Sequence, residues 1–185
     1  MAGFAALLLY ESGENEISHN NIRRSNRDSI GLFGSELAYG EVQDGVLVDF
    51  NSSSRFAMTK HNRVAWNDMS HANQDSDDTG EVEMYGTGPG NIMEHNAIHD
   101  VYDVGTGMHS VMFSDDWSPN TTWRSNLVGP YVRIAGGGDN DFFMVKSMKM
   151  RVENNVFADS SAHDGGSIAM YIRIPAVNRL SYLCC

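Results

Sequence analysis

The stretch NIMEHNAI, residues 91–98, carries the information that decides the fold. Its apolar residues Met93 and Ile98 lie five apart, with Asn96 between them. On a straight strand successive side chains point to opposite faces, so an odd offset would split the pair. A bend between them returns both to one interior. Asn suits a bend, because it tolerates the left-handed conformation and its amide bonds to nearby backbone. The reading therefore puts a left-handed turn at Asn96.

The pattern N-x-[apolar]-x-x-N-x-[apolar] recurs outward from this stretch. NEISHNNI begins at Asn15 and NRVAWNDM at Asn62, and degenerate copies TTWRSNLV and MRVENNVF begin at Thr121 and Met150. One long step, from Asn15 to Asn62, is followed by three shorter and nearly equal ones. Asn holds the sixth position throughout, as Asn20, Asn67, Asn96, Asn126 and Asn155. The apolar slots are Ile17/Ile22, Val64/Met69, Met93/Ile98, Trp123/Val128 and Val152/Phe157. Stacked bends of this kind align their amides into a ladder. The expectation is an all-β, single-stranded parallel β-helix, a solenoid of about five to six coils with one coil per repeat.

A second strand follows most copies: DSIGLFG from Asp28, GEVEMYG from Gly80, HSVMFSD from His109 and GSIAMYIR from Gly166. Val82 follows Asn67 at the same interval as Val111 follows Asn96, which predicts that the two valines are neighbours. After the fourth copy, YVRIA from Tyr131 and DFFMVK from Asp141 both qualify. The long first step implies an insertion at about residues 35–61, with GVLVDF from Gly45 as a further strand. The whole of 1–185 reads as one domain. Phe4 to Tyr10 reads as a buried strand, since the apolar start lacks the basic segment of a signal peptide and Glu11 and Glu14 follow closely. Both ends lack recognisable caps, which suggests part of a longer β-helix.

Composition bounds the function. The 185 residues are 41% hydrophobic and 20% charged, which fits a folded domain rather than a disordered chain. Acids outnumber bases 24 to 13, for a net charge of −11. Such a surface repels phosphate backbones and anionic lipid, so neither nucleic acid nor a membrane is an expected partner. No apolar run reaches the roughly 18 residues of a membrane span. The two cysteines, Cys184 and Cys185, are adjacent and build neither a disulfide framework nor a zinc site.

From Asn62 to Asp159 the chain resembles the right-handed parallel β-helix carbohydrate-active enzymes of the pectin lyase-like fold. The resemblance is closest to proteins around glycoside hydrolase family 141. The segments that carry it run in the family's order: DDTGEVEMYG from Asp77, NIMEHNAIHD from Asn91, VMFSDD from Val111, NTTWRSNLV from Asn120, GGGDN from Gly136 and VENNVF from Val152. The chain departs from the family pattern where GEVE stands for GAIY and MFSDD for IYLDD, and where DNDFFMVK is inserted after the glycines. The resemblance implies a right-handed helix, a polysaccharide or oligosaccharide partner, and an extracellular or periplasmic location. It also implies glycoside hydrolysis by paired carboxylates, with a calcium-dependent polysaccharide lyase or a non-catalytic carbohydrate-binding or adhesin-like module as alternatives.

The carboxylates available for such chemistry are Asp75, Asp77, Asp78, Glu81, Glu83, Asp115 and Asp116. Glycoside hydrolysis needs two carboxyls about 5–10 Å apart across one bond. Asp78 and Asp116 are the leading pair, with Asp115 and Glu81 as further catalytic candidates. In straight projection Asp78 and Asp116 lie far apart along their strands, so loop curvature would have to join them. The alternative is that these are solvated turn acids. Lys146 is expected to stack on Asp116 and keep it ionised. Glu83, His99, Lys146 and Trp117 are the substrate-binding candidates, Trp117 as an aromatic platform for a sugar ring. Trp123 reads as core, and Trp66, His19 and His95 as outward positions. DSDDTG places Asp75, Asp77 and Thr79 at alternate loop positions, a loose calcium possibility, but Gly86 stands where an EF-hand needs its Glu. No cofactor is otherwise implied. A lyase would need a basic residue from among Lys146, Arg133 and Arg124, and no motif isolates one.

Overall fold

The computed structural model describes residues 5–35, 37, 40–49, 51–76, 78–103, 109–129, 131–133, 140–158 and 170–172. Among these the chain is all-β, built of stacked parallel sheets with a single short helical turn. The longest sheet takes Leu7–Tyr10, Ile30–Phe33, Thr79–Tyr85, His109–Ser114, Asn140–Val145 and Met170–Ile172, in that order. A second sheet takes Glu16–Ser18, Arg63–Ala65, Ile92–Glu94, Thr122–Arg124 and Arg151–Glu153. A third takes Asn21–Arg23, Asp68–Ser70, Ala97–His99, Leu127–Val128 and Val156–Phe157. Each repeat thus contributes one strand to each sheet. Val101–Asp103 and Tyr131–Arg133 add a short parallel pair.

The apolar slots align as their spacing requires. Ile17, Val64, Met93, Trp123 and Val152 stand side by side in the second sheet. Ile22, Met69, Ile98, Val128 and Phe157 do so in the third. Both rows, apart from the exposed Val152 at the end of the second sheet, face one hydrophobic core shared with Ile30, Leu32, Val82, Met84, Met112 and Phe143 of the long sheet. Trp123 is fully buried, edge-on to Phe143 at 5.6 Å, and its indole N–H donates to Ser114 Oγ at 3.0 Å. Satisfying that N–H is what lets so large an indole sit in the core.

The corner between the second and third sheets holds the expected ladder. Each Asn Nδ2 donates to the Oδ1 of the next: Asn20 to Asn67, Asn67 to Asn96 and Asn96 to Asn126, each at 3.0 Å, and Asn126 to Asn155 at 2.9 Å. Asn96 uses its whole capacity. It donates to Val64 O and Asn126 Oδ1, and accepts from the backbone and side-chain nitrogens of Asn67. A second ladder, at the first position of the repeat, joins Asn15, Asn62 and Asn91 at 2.9 and 3.1 Å.

The left-handed residue is not the Asn but the one before it. His19, Trp66, His95, Ser125 and Asn154 have φ of 60, 59, 55, 54 and 54°. Turning the chain one residue early leaves the Asn amide inside, where the ladder needs it, and throws the left-handed side chain outward. Trp66 is accordingly 52% exposed and stacks on His95 at 4.2 Å, with His19 edge-on at 6.5 Å.

The long sheet corrects a predicted register. Val82 pairs with Met112, not Val111, because the coil is one residue longer there than the spacing of Asn67 and Asn96 implies. Third-sheet neighbours Ser70 and His99 still keep the shorter step, so the extra residue enters between His99 and His109. After the fourth repeat it is Asn140–Val145, containing DFFMV, that joins the long sheet, while Tyr131–Arg133 pairs with Val101–Asp103. Leu7–Tyr10 is an edge strand rather than a buried one, with Leu8 and Tyr10 exposed. The C-terminal segment read as an incomplete cap lies outside the described residues.

In the insertion, Val42–Gln43 and Val46–Leu47 form an antiparallel hairpin across Asp44-Gly45, both at positive φ as a tight hairpin turn requires. Ser53–Phe56 makes one helical turn. Thr59 Oγ1 donates to Phe33 O, and Ala57 fills the space beside Gly88, where a Cβ would come within 2.8 Å of it. Lys149, from the turn before the last repeat, reaches Asn51 at 3.0 Å. The insertion therefore packs along the turns that leave the long sheet.

Candidate functional site

The outer face of the long sheet gathers most of the chemistry. Alternation sends Ile30, Leu32, Val82 and Met84 into the core, and Phe33, Glu81, Glu83 and Tyr85 to the other side. Register then aligns Tyr10 with Phe33 and Phe33 with Tyr85. Next in the same row come Asp115, whose N–H bonds Met84 O, and Lys146, whose N–H bonds Ser114 O. The row Tyr10, Phe33, Tyr85, Asp115, Lys146 crosses five strands with neighbours about 4.8 Å apart. Gly31 makes room for it, since a Cβ there would lie 2.4 Å from the Phe33 ring.

Lys146 pairs with Asp115 at 2.8 Å, both nearly buried, and its ammonium also sits 5.0 Å from the centre of the Phe113 ring. The expected partner was Asp116. The coil is longer again by one residue here, with Ser114 beside Val145, which moves the pairing back by one. Asp116 lies in the following turn, where its carbonyl accepts from Gly86 N and its N–H bonds the Asp115 carboxylate. Trp117 follows at φ 63° and is half-buried. It belongs to the turn after the strand His109–Ser114 and not to the aromatic row.

Asp78 and Asp116 are not brought together. Asp78 precedes the strand Thr79–Tyr85, whereas Asp116 is level with Gly86, at the strand's far end. At about 3.3 Å per residue they are roughly 26 Å apart along the strand direction. Glu81 is level with Val111, well short of Asp115, or roughly 13 Å along the strand.

Glu81 and Glu83 are instead buried with Asp28 beneath the segment 71–76. Glu81 accepts from the Ser29 hydroxyl and, at 3.3 Å, from Ala72 N. Burial pushes its carboxyl up to about 7 against the opposing pull of the Ser29 and Ala72 bonds. Burial, reinforced by Asp28, pushes Glu83 well above the usual carboxylate range despite Arg27. Burial likewise raises Asp28. Arg27 bridges the pair, at 3.1 Å from Glu83 and 3.5 Å from Asp28.

His99 lies between two carboxylates, with Nδ1 2.7 Å from Asp100 and Nε2 2.8 Å from Asp68. Burial works against its charge, but the hydrogen bonds to Asp100 and Asp68 outweigh it and raise the ring above its ordinary value. With an acceptor on each nitrogen, His99 serves both as the imidazolium, and in that state it cannot take a proton as a base. Among the described residues no three metal-ligating side chains converge. Asp77 lies outside those residues, and Thr79 turns its hydroxyl to Asp28 and Asn73 rather than to the loop acids.

Tyr10, Phe33, Asp28 and Arg27 did not stand out in the sequence. The alignment of Tyr10, Phe33 and Tyr85 was legible only through the register of DSIGLFG against GEVEMYG, which places Ile30 beside Val82. Comparisons with protein-family models, with curated proteins and with solved structures find no match for this chain.

Proposed function

We propose that the three sheets are the faces of a right-handed parallel β-helix and that the chain is a carbohydrate-binding module, outside the cytoplasm, as the family 141 resemblance implies. The observation that carries this reading is the outward row Tyr10, Phe33 and Tyr85, which leads to Asp115 and Lys146. Sugar rings stack on aromatic faces, and the spacing between strands is close to the length of one pyranose unit. A saccharide lying across the strands would place successive units over successive aromatics. The polar end of the row, with Asp116 and Trp117 beyond it, would meet its hydroxyls. Binding without hydrolysis accords with the carboxylates. Asp78 and Asp116 stand at opposite ends of the sheet, and Glu81 lies closed from solvent.

The test is affinity electrophoresis and calorimetry against plant and algal polysaccharides, with reducing-end release measured in parallel. Binding without release is expected. Tyr10→Ala and Phe33→Ala should each weaken binding about five- to tenfold, the equivalent of about 1 kcal/mol per lost stacking contact. Unchanged affinity in the double variant would remove the aromatic row from the reading. Release abolished by Glu81→Gln would restore a hydrolase.

A further inference from the structure

Segment 71–76, the link from the third sheet to the strand Thr79–Tyr85, packs over the entry of the long sheet as a strap. Its Asn73 N donates to Arg27 O at 2.9 Å and its Asp75 N to Asn26 O at 3.3 Å. Ala72 N meets Glu81 Oε2, and Asn73 Oδ1 accepts from Thr79 Oγ1 at 3.1 Å. His71 N bonds Asp100 O at 3.1 Å, and the Gln74 amide returns to His71 O. Beneath the strap Asp28, Glu81 and Glu83 are 0, 0 and 2% exposed.

The charge under this strap does not balance if all three acids ionise. Arg27 is the cation in direct contact, and of the three acids it is paired with Glu83 and Asp28. Arg27 Nη2 also bonds Asp78 O at 3.1 Å. The other titratable groups facing the cluster are His99, set against Glu81 from the third sheet, His71 and Asp75 on the strap, and Asp78 at the strand entry. His99 is already committed to Asp68 and Asp100. Asp28 Oδ2 is fully buried with no hydrogen-bond donor among the described residues. A buried carboxylate oxygen whose cation, Arg27 Nε, stands 3.5 Å away without a hydrogen bond is costly, and a proton on the Glu83 carboxyl would supply the missing donor.

We propose that Asp28 and Glu83 share one proton, and that its loss as pH rises releases the 71–76 strap from the long sheet. With the proton present, one carboxylic acid donates to the other carboxylate and Arg27 neutralises the remaining charge. Without it, two buried carboxylates face each other across a single guanidinium, and the least costly relief is hydration through the strap. Glu81, Glu83 and Tyr85 lie at alternate positions of one strand face. Release therefore uncovers Glu81, which Ala72 N contacts and which lies on the same strand face as Tyr85 of the aromatic row. The proposal stands whether or not that row binds sugar.

Carbon-detected NMR of the carboxyl groups across pH 4 to 10 tests the proton. Amide hydrogen exchange, corrected for its intrinsic pH dependence, tests the strap. Asp28 and Glu83 should titrate as a pair, with one step above the ordinary carboxylate range. Through that step the Asn73 and Asp75 amides should lose about tenfold or more of their protection, while Met93 and Ile98 keep theirs. In the Glu81→Gln background, which removes the titration of the acid that holds Ala72 N, Glu83→Gln replaces the proton with an amide donor and should make strap protection independent of pH. Two carboxyls that both titrate in the ordinary range would overturn the shared proton. Strap protection that stays constant in the unaltered protein would overturn the release, and both readings hold even if the variant fails to fold.

Discussion

Two buried side chains show how much one residue carries here. Asn96 makes four hydrogen bonds, and truncation leaves Val64 O, Asn67 N, Asn67 Nδ2 and Asn126 Oδ1 each short of a partner. One orphaned buried group costs about 1–3 kcal/mol. Asn96→Ala should therefore lower stability by about 3 kcal/mol or more in denaturant titration, since four are affected. A loss below about 1 kcal/mol would mean that the ladder is ornamental. Glu81 carries the opposite kind of lesson. Its pKa is raised in the fold, so its contribution to stability is complete below its ordinary 4.5 and is lost as pH climbs to about 7. Glu81→Gln keeps the shape, accepts from Ala72 and donates to Ser29 Oγ. Relative to the unaltered protein it should be neutral near pH 4 and more stable by about 3 kcal/mol above pH 7. Parallel pH–stability curves for the two proteins would refute the assignment.

At the scale of the element, the corner between the second and third sheets is a two-residue device. The first residue takes the left-handed conformation and faces out, and the second turns its amide in. The two should respond to glycine with opposite signs. Ser125 sits at φ 54°, where a side chain costs about 1–2 kcal/mol, partly offset by the entropy of glycine in the unfolded chain. Ser125→Gly should raise stability by up to about 1 kcal/mol. Asn126→Gly breaks the ladder on both sides and should lower it by about 3 kcal/mol or more. Thermal melts of the two variants decide the matter, and equal signs would contradict the corner geometry. The second sheet has its own outward device. Arg63 and Arg124 clamp Glu94 at 2.6 Å each, and although burial opposes it, they hold its carboxyl below the ordinary range.

At the scale of the whole molecule, what the sequence determined by itself is the repeat, save for which corner residue turns left-handed, the one before the Asn. The Asn positions and the paired apolar slots follow from spacing within the motif, and the parallel stacking in the second and third sheets from the recurrence of its copies. A bend fixes that geometry wherever the chain then goes. The insertion and a strand within GVLVDF were likewise legible from the long first step, whereas the hairpin across Asp44-Gly45 was not. What only the tertiary structure decided is the long sheet, whose strands are reached through loops of unequal length. One residue added before His109 and another before Asn140 lengthen the coil twice. A side-chain period of two turns each single-residue shift into a change of face. Hence Met112 rather than Val111 meets Val82, and Asp115 rather than Asp116 meets Lys146. The same register lines up Tyr10, Phe33 and Tyr85. Burial is likewise a property of what crosses a face, not of the face itself. Glu81 and Glu83 alternate with core residues and read as exposed, until Ala72 on one and Arg27 on the other help to close them from solvent and burial raises both carboxyls.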